Sequence, residues 1–373
     1  MKQFQDYQYK IVRSLDDESI NQWVKLEQDT DPIVFQRIFF IKNWFKNLYS
    51  EKKNKLFIIF IYKSDNLLSV LPFCINNFFI FKSLEWIGEP FNDINFPIFK
   101  KEIINKLNFN EFLREILIEF NDEITFIRLK KQIKCFNNII NPLHYRLSVS
   151  SSEKRKVLYF KSKKESKLSE FEAFIDNQKS KLFKRIKQRV NKYNFIFKSH
   201  QGSNLKYKNE TLQFLIKNKS EKMTRTKVWN YLSFQKYKNY IKDILNSKYA
   251  HGFELYLNKK LIACQIGYKI KNHYYYIFPA YNNDYKSISP GHLGIYFLLR
   301  ELINEQNNIT FDFTIGNETY KDYWINQEEH LFTNYYYKNF IGKFLINLII
   351  YFDYNRNFPI LKKLKQIYIK FKK

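Results

Sequence analysis

The stretch YLNKKLIACQIGYKIKNHYYYIFPAYNNDYKSISPGHLGIYFLLRELI, Tyr256–Ile303, followed closely by ITFDFT, Ile309–Thr314, decides the fold. FELYL (Phe253–Leu257) turns at Asn258-Lys259 into LIACQIGYKI (Leu261–Ile270), and Lys271-Asn272 turns it again into HYYYIFPAY (His273–Tyr281). Apolar, aromatic runs separated by two-residue polar turns predict an antiparallel meander. The apolar period then changes to that of a helix from His292 to Glu305, and ITFDFT supplies one more strand. A strand, a long helix and another strand form a crossover unit.

The same order of elements recurs upstream. LFIIFIY (Leu56–Tyr62), LLSVLPFCI (Leu67–Ile75) and FFIFKSLEWIG read as three strands, a helical segment follows from Lys101 to Phe120, and ITFIRL (Ile124–Leu129) closes the set. Between the halves lies the polar, Lys-rich stretch Ser148–Glu170, which places a boundary near residue 150. The expectation is an α/β chain of two domains, 1–150 and 151–340. Each would have a mixed, mostly antiparallel sheet flanked by helices, and a basic amphipathic tail would occupy 341–373.

Composition narrows the function classes. The 373 residues are 45% hydrophobic and 19% aromatic, which excludes a wholly disordered chain. Three scattered cysteines, Cys74, Cys135 and Cys264, form no disulfide framework and point to a reducing compartment. No apolar run reaches the ~20 residues of a membrane span, and MKQFQDYQYK has no apolar core of a signal peptide. A cytoplasmic protein is expected. The net charge of +27 comes mostly from lysine. It reads either as a solvated surface in a chain rich in A/T-codon residues or as a surface that binds anions. The segment around Lys181–Lys192 has one apolar stripe, Leu182, Ile186 and Val190, and a basic back. It suits a docked helix with a wet face, or one that meets phosphates or anionic lipid.

The glycines single out one place. Five of the eight lie between 252 and 316, and Gly291 and Gly294 open a helix directly after a strand, in SPGHLG. A helix start with bare N–H groups is an anion site, although a Pro-Gly turn capping an ordinary helix has the same spelling. The six histidines have no metal-ligand spacing, so no metal is expected. There is also no G-x-S-x-G and no Walker loop.

The meander with Ala263-Cys264 at its centre, the strand ending Pro279-Ala280-Tyr281, the Ser-Pro-Gly-His loop, and Asp312 followed by Gly316-Asn317-Glu318-Thr319-Tyr320-Lys321 and Trp324 resemble the acyltransferase domain of the GNAT superfamily. They look most like the CelD-type branch of cellulose and polysaccharide biosynthesis proteins, related to the Fem aminoacyl transferases. The match covers about 180–337. GEPFND (Gly88–Asp93) resembles, more weakly, a degenerate first domain. The resemblance implies an acyl-coenzyme A donor with its pyrophosphate on Ser289, Pro290, Gly291, His292, Leu293 and Gly294. The chain departs from the family by Gly-x-x-Gly instead of Gly-x-Gly and by Ile288 where Arg or Gln is usual. Asp312, Glu318 and His292 are candidate bases, Tyr281 and Tyr320 candidate acids or acceptor contacts, and Lys321 and Trp324 acceptor-binding residues.

Three functions stay open at this level. One is acyl transfer from acyl-coenzyme A to an amine of a sugar or lipid-linked envelope precursor, with peripheral contact to an anionic membrane. The second is Fem-like transfer from aminoacyl-tRNA. The third is a non-catalytic protein that binds polyanions or membrane.

Overall fold

The computed structural model describes residues 1–78, 81–144, 148–162, 167–177, 181–202 and 209–354. In chain order the elements are β1 (Lys2–Phe4), β2 (Tyr7–Val12), α1 (Asp17–Thr30), α2 (Ile38–Leu48), β3 (Asn54–Lys63), β4 (Asn66–Phe78), β5 (Phe81–Trp86), β6 (Ile98–Phe99), α3 (Phe109–Glu119), β7 (Phe126–Gln132), β8 (Cys135–Phe136) and β9 (Ile139–Ile140). After these come β10 (Val149–Lys161), α4 (Lys167–Asn177), α5 (Lys181–Lys192), β11 (Phe195–Gln201), α6 (Asn209–Arg225), α7 (Gln235–Ile244), β12 (Ala250–Leu257), β13 (Lys260–Ile270), β14 (His273–Tyr281), α8 (Pro290–Glu305), β15 (Asn308–Ile315), β16 (Gln327–Tyr337) and α9 (Phe340–Tyr354).

The chain divides into two units. The first holds Met1–Ile38, Ser50–Ser152 and the chain from His330 onward; the second holds Phe39–Tyr49 and Glu153–Glu329. The division at residue 152 thus has two crossings, because α2 from Phe39 belongs to the second unit and most of β16 with α9 to the first. Of the expected tail 341–373, residues up to Tyr354 lie in α9 and 355–373 lie outside the described residues.

Within the first unit, β3, β4 and β5 form the antiparallel meander, and β5 then pairs in parallel with β7. Ser64 and Asp65 both have positive φ, which gives the β3–β4 hairpin the tight turn whose twist suits its strands. The helical stretch expected from Lys101 is shorter. It begins with a 3-10 turn at Lys101–Ile103, and α3 starts only where Asn108 caps it by accepting from the Asn110 and Glu111 amides.

The second unit repeats the plan. β12, β13 and β14 form a meander, with positive φ at Asn258 and Lys259 in its first turn. β14 pairs in parallel with β15 through His273↔Thr310, Tyr274↔Phe311 and Tyr275↔Asp312. β11 and β10 complete the sheet as antiparallel partners of β12 and β15. Leu293, Leu299 and Leu302 of α8 pack over Tyr274, Phe311 and Phe313, with the Tyr274 and Phe311 rings stacked 5.0 Å apart. α5 docks through Phe183 and Ile186, with Leu182 and Val190 at the margin, so its basic residues face outward. α2 adds the rings of Phe39, against Tyr249 and Tyr268, and of Phe40, against Tyr240.

A buried ion cluster ties β10, β14, β15 and the start of β16 together. Arg155 of β10 meets Asp312 of β15 through Nε and Nη2, each 2.8 Å from Oδ2, and donates through Nη1 to Glu329 at 2.8 Å. His273 of β14 reaches the same Oδ2 at 3.2 Å, and the Thr314 amide donates to Oδ1 at 2.7 Å. Burial raises the Asp312 carboxyl, but Arg155 and His273 outweigh it and hold the group down at about 2. Removing one member of a buried pair strands the other charge. Asp312→Asn is therefore expected to cost roughly 3 kcal/mol in chemical denaturation at pH 7. Because the folded carboxyl titrates below its unfolded value near ~3.9, its stabilisation is complete above about pH 4 and lost as pH falls toward 2. The variant should show a shallower loss of stability over that window; an equal slope would place the acid sensitivity elsewhere.

Candidate functional site

The site begins where the parallel ladder stops. Beyond Tyr275↔Asp312, β14 runs on from Tyr276 to Tyr281 with no register partner in β15. The chain then makes a 3-10 turn over Asn283–Ile288, opened by the Asn282 side chain accepting from the Asp284 amide at 2.9 Å. Ser289, in the left-handed region at φ 53°, redirects it into α8, whose first position is Pro290. Pro fits there because it lacks the N–H that a first turn leaves without a partner. The first intrahelical amide to find an acceptor is that of Leu293, which donates to Ser289 O, so the Gly291 and His292 amides have none within the helix.

A cleft of about 230 Å³ opens at this junction. Its floor is Tyr276 and Pro279–Tyr281 of β14, one wall is Ser289–His292 and Ile295 of α8 with Tyr320, and the other is Asn218, Lys219, Glu221, Lys222 and Arg225 of α6. Around the same loop a basic groove of about 330 Å³ is lined by Arg185, Gln188, Arg189, Lys192 and Tyr193 of α5 with Ser287 and Ile288. Arg189 donates through Nη2 to Ser287 O at 2.6 Å, while its Nη1 is buried with no hydrogen-bond partner among the described residues. A buried guanidinium nitrogen in that state suits an anion.

His292 borders the cleft in a defined form. Burial, with the charge of Arg189 adding to it, lowers its imidazole to about 4, so it is neutral at pH 7. Trp324 Nε1 donates to its Nδ1 at 3.0 Å, which puts the ring proton on Nε2. The residue expected as a base is thus a hydrogen-bond donor, because its free nitrogen already carries the proton. Trp324 is fully buried, with Phe183 packed edge-on at 5.0 Å, and orients His292 where acceptor binding was expected of it.

The structure corrects several other assignments. Asp312 is sealed in the ion cluster with both oxygens engaged and does not line the cleft, so it is not placed to take a proton from an acceptor. Glu318 pairs with Lys321 at 3.0 Å, and Lys321, itself buried, donates to Ile315 O at 2.7 Å. The two latch the turn after β15, where Gly316 has φ 132° and a side chain would overlap the Glu318 carboxylate. Burial raises the Glu318 carboxyl, but the Lys321 ammonium outweighs it and the net direction is down. Leu293 and Gly294 face the core; a Cβ at Gly294 would overlap the Phe253 ring, so this glycine serves packing instead of phosphate approach. Gly291 has room, its missing Cβ lying 3.5 Å from the Tyr281 ring.

Ser289, Pro290, Gly291, His292, Tyr281 and Tyr320 do converge on the cleft. Burial, with Glu318 nearby, pushes the Tyr320 phenol up, so it is a protonated donor at neutral pH. What the sequence reading missed is α6. Glu221 is the carboxylate that lines the cleft among the described residues, and Asn218, Lys222 and Arg225 stand beside it at i, i+4 and i+7 spacing. That one-faced polar spacing in NKSEKMTR was the available signal. In the first unit, Glu89 of GEPFND is engaged by Lys131 at 3.1 Å and Lys130 at 3.7 Å.

Comparison with known proteins follows the same lines. No curated relative matches the sequence. FemX shares the fold with a TM-score of 0.60 at 8% identity, over 91% of this chain and 99% of that one. The C-terminal domain of a putative lysylphosphatidylglycerol synthetase from Agrobacterium fabrum gives 0.52 at 9% identity, over 90% and 96% of the two chains. L-PGS from Bacillus licheniformis gives 0.50 at 12%, over 88% and 94%. Residues 184–322 match the family model of the acetyltransferase (GNAT) domain, so the chain carries such a domain in its second unit and is an acyltransferase enzyme.

Proposed function

We propose that the second unit transfers an acyl group from an acyl-coenzyme A thioester to an amine of a sugar or envelope precursor, as in the CelD-type polysaccharide biosynthesis branch. The observation that carries this reading is the α8 start, whose Gly291 and His292, with amides unpaired within the helix, line the cleft, while Arg189 with its buried Nη1 without a partner among the described residues lines the groove on the preceding loop. Backbone amides at a helix start and a buried guanidinium nitrogen without a partner fit a pyrophosphate. Arg185, Arg189 and Lys192 would hold the donor's phosphates, with the acyl end directed into the cleft.

The chain's own groups suit direct attack in a ternary complex. Glu221 accepts the proton as the amine forms its C–N bond. His292 Nε2–H donates to the oxygen that gains charge, and Tyr320 or Tyr281 protonates the departing thiolate as the C–S bond breaks. Lys219, Lys222, Arg225 and Lys286 make the mouth cationic, which favours a phosphorylated acceptor. A second reading, Fem-like transfer from aminoacyl-tRNA, is supported by the likeness to FemX over nearly the whole chain and by the basic groove. The acetyltransferase domain disfavours the third, non-catalytic reading.

Glu221→Gln should lower turnover by about 10²–10⁴-fold with coenzyme A affinity nearly unchanged; full activity would remove Glu221 from the reaction. Arg189→Gln should weaken coenzyme A binding about tenfold in calorimetry, the loss of a charge-assisted contact. Unchanged binding to the folded variant would place the phosphates elsewhere. Amine acylation that persists after ribonuclease treatment supports the thioester donor, and its abolition supports the tRNA reading.

A further inference from the structure

Helix α9 is apolar on both faces. Inward, Leu345, Ile346 and Ile349 bury against Phe126 of β7. Outward, Phe340 is 80% exposed, Ile341 56%, Phe344 54% and Leu348 36%. These four stand at i, i+1, i+4 and i+8, so they form one stripe along the helix. Among the described residues, Lys343 and Asn347 are the polar ones on its exposed side. A helix this apolar on both sides belongs inside a core or against lipid, and the side opposite β7 is not core. At ~1.5 Å per residue the helix is about 22 Å long, short of the ~30 Å hydrocarbon layer. No helix among the described residues is long and apolar enough to cross a membrane.

The sequence that follows says what the stripe meets. Residues 355–373, NRNFPILKKLKQIYIKFKK, hold six Lys and one Arg, no Asp or Glu, and apolar residues throughout. An exposed apolar stripe continued by a purely cationic, apolar-rich segment matches an interface of acyl chains beneath anionic headgroups. A second copy of the chain is the poorer occupant, since each brings a net charge of +27. We infer that α9 docks the protein on an anionic phospholipid bilayer, with Phe340, Ile341, Phe344 and Leu348 in the acyl boundary and 355–373 adding electrostatic attraction. The inference stands on α9 and the sequence after it, and holds whichever donor the second unit uses.

Cosedimentation of the full chain with vesicles tests it. Vesicles of equal phosphatidylglycerol and phosphatidylcholine should bind the protein, pure phosphatidylcholine should bind it far less, and added salt should weaken the first. The outward double substitution Phe344→Ser with Leu348→Ser should lose about tenfold or more in vesicle affinity with an unchanged thermal transition. Truncation after Tyr354 should also weaken binding to the anionic vesicles. Equal binding by the double variant, or no preference for the anionic vesicles, overturns the proposal. So does a wild-type dimer that the double variant abolishes, which makes the occupant a second copy. Tighter vesicle binding after truncation also overturns it, because 355–373 would then cover the stripe.

Discussion

β14 and β15 are hydrogen-bonded at one end and apart at the other, and the second unit's chemistry depends on where they separate. The ladder's last rung joins Tyr275 to Asp312, the residue whose carboxylate Arg155, His273 and the Thr314 amide grip. Charges buried this deeply are costly to move, so the rung is a fixed point from which the two strands diverge. Past it, Tyr276–Tyr281 form a floor, and the loop after them delivers the bare first turn of α8 to its rim. The carboxylate that first suggests catalysis therefore fixes the frame of the cleft while the reacting groups come from neighbouring elements.

Much of the frame is legible in the sequence, because period-2 runs, two-residue turns and a period-3.6 stretch each leave a local signature. Both meanders, the crossover helix α8 and the junction at Ser289–His292 can be read from spelling alone. The roles of acids cannot. Asp312, Glu318 and Glu221 are all carboxylates in polar company along the chain. What separates them is whether a cation has already engaged them, Arg155 from a distant strand for Asp312 and the buried Lys321 one turn on for Glu318. Partners 157 residues apart leave no trace in a local window. Gly294 fails for a related reason: bare backbone reads the same whether it admits a phosphate or the Phe253 ring.

The charge of the chain is also more structured than its composition suggests. On α5 the apolar stripe is spent on the core, which leaves Arg185, Arg189 and Lys192 to line one groove, while α6 presents Lys219, Lys222 and Arg225 to the cleft. Other lysines are engaged by acids, as Lys131 and Lys130 are by Glu89 in the first unit. Cations clustered in excess of the lining acids, with none in the α5 groove and Glu221 alone on α6 among the described residues, raise the local concentration of anions.

The two crossings of the unit boundary bear on how the chain is made. Phe39 and Phe40 of α2 complete the aromatic packing around Tyr240, Tyr249 and Tyr268, some two hundred residues downstream, and β7 receives β16 from near residue 330. During synthesis the first unit therefore waits for the chain from His330 onward, while the second draws on α2, made long before it. Neither unit is one continuous stretch of chain, and contacts of such sequence separation form slowly. The nascent chain keeps apolar surface open until late, which makes it a natural client for chaperones. Cutting the gene at the connector would leave two incomplete fragments in place of two domains.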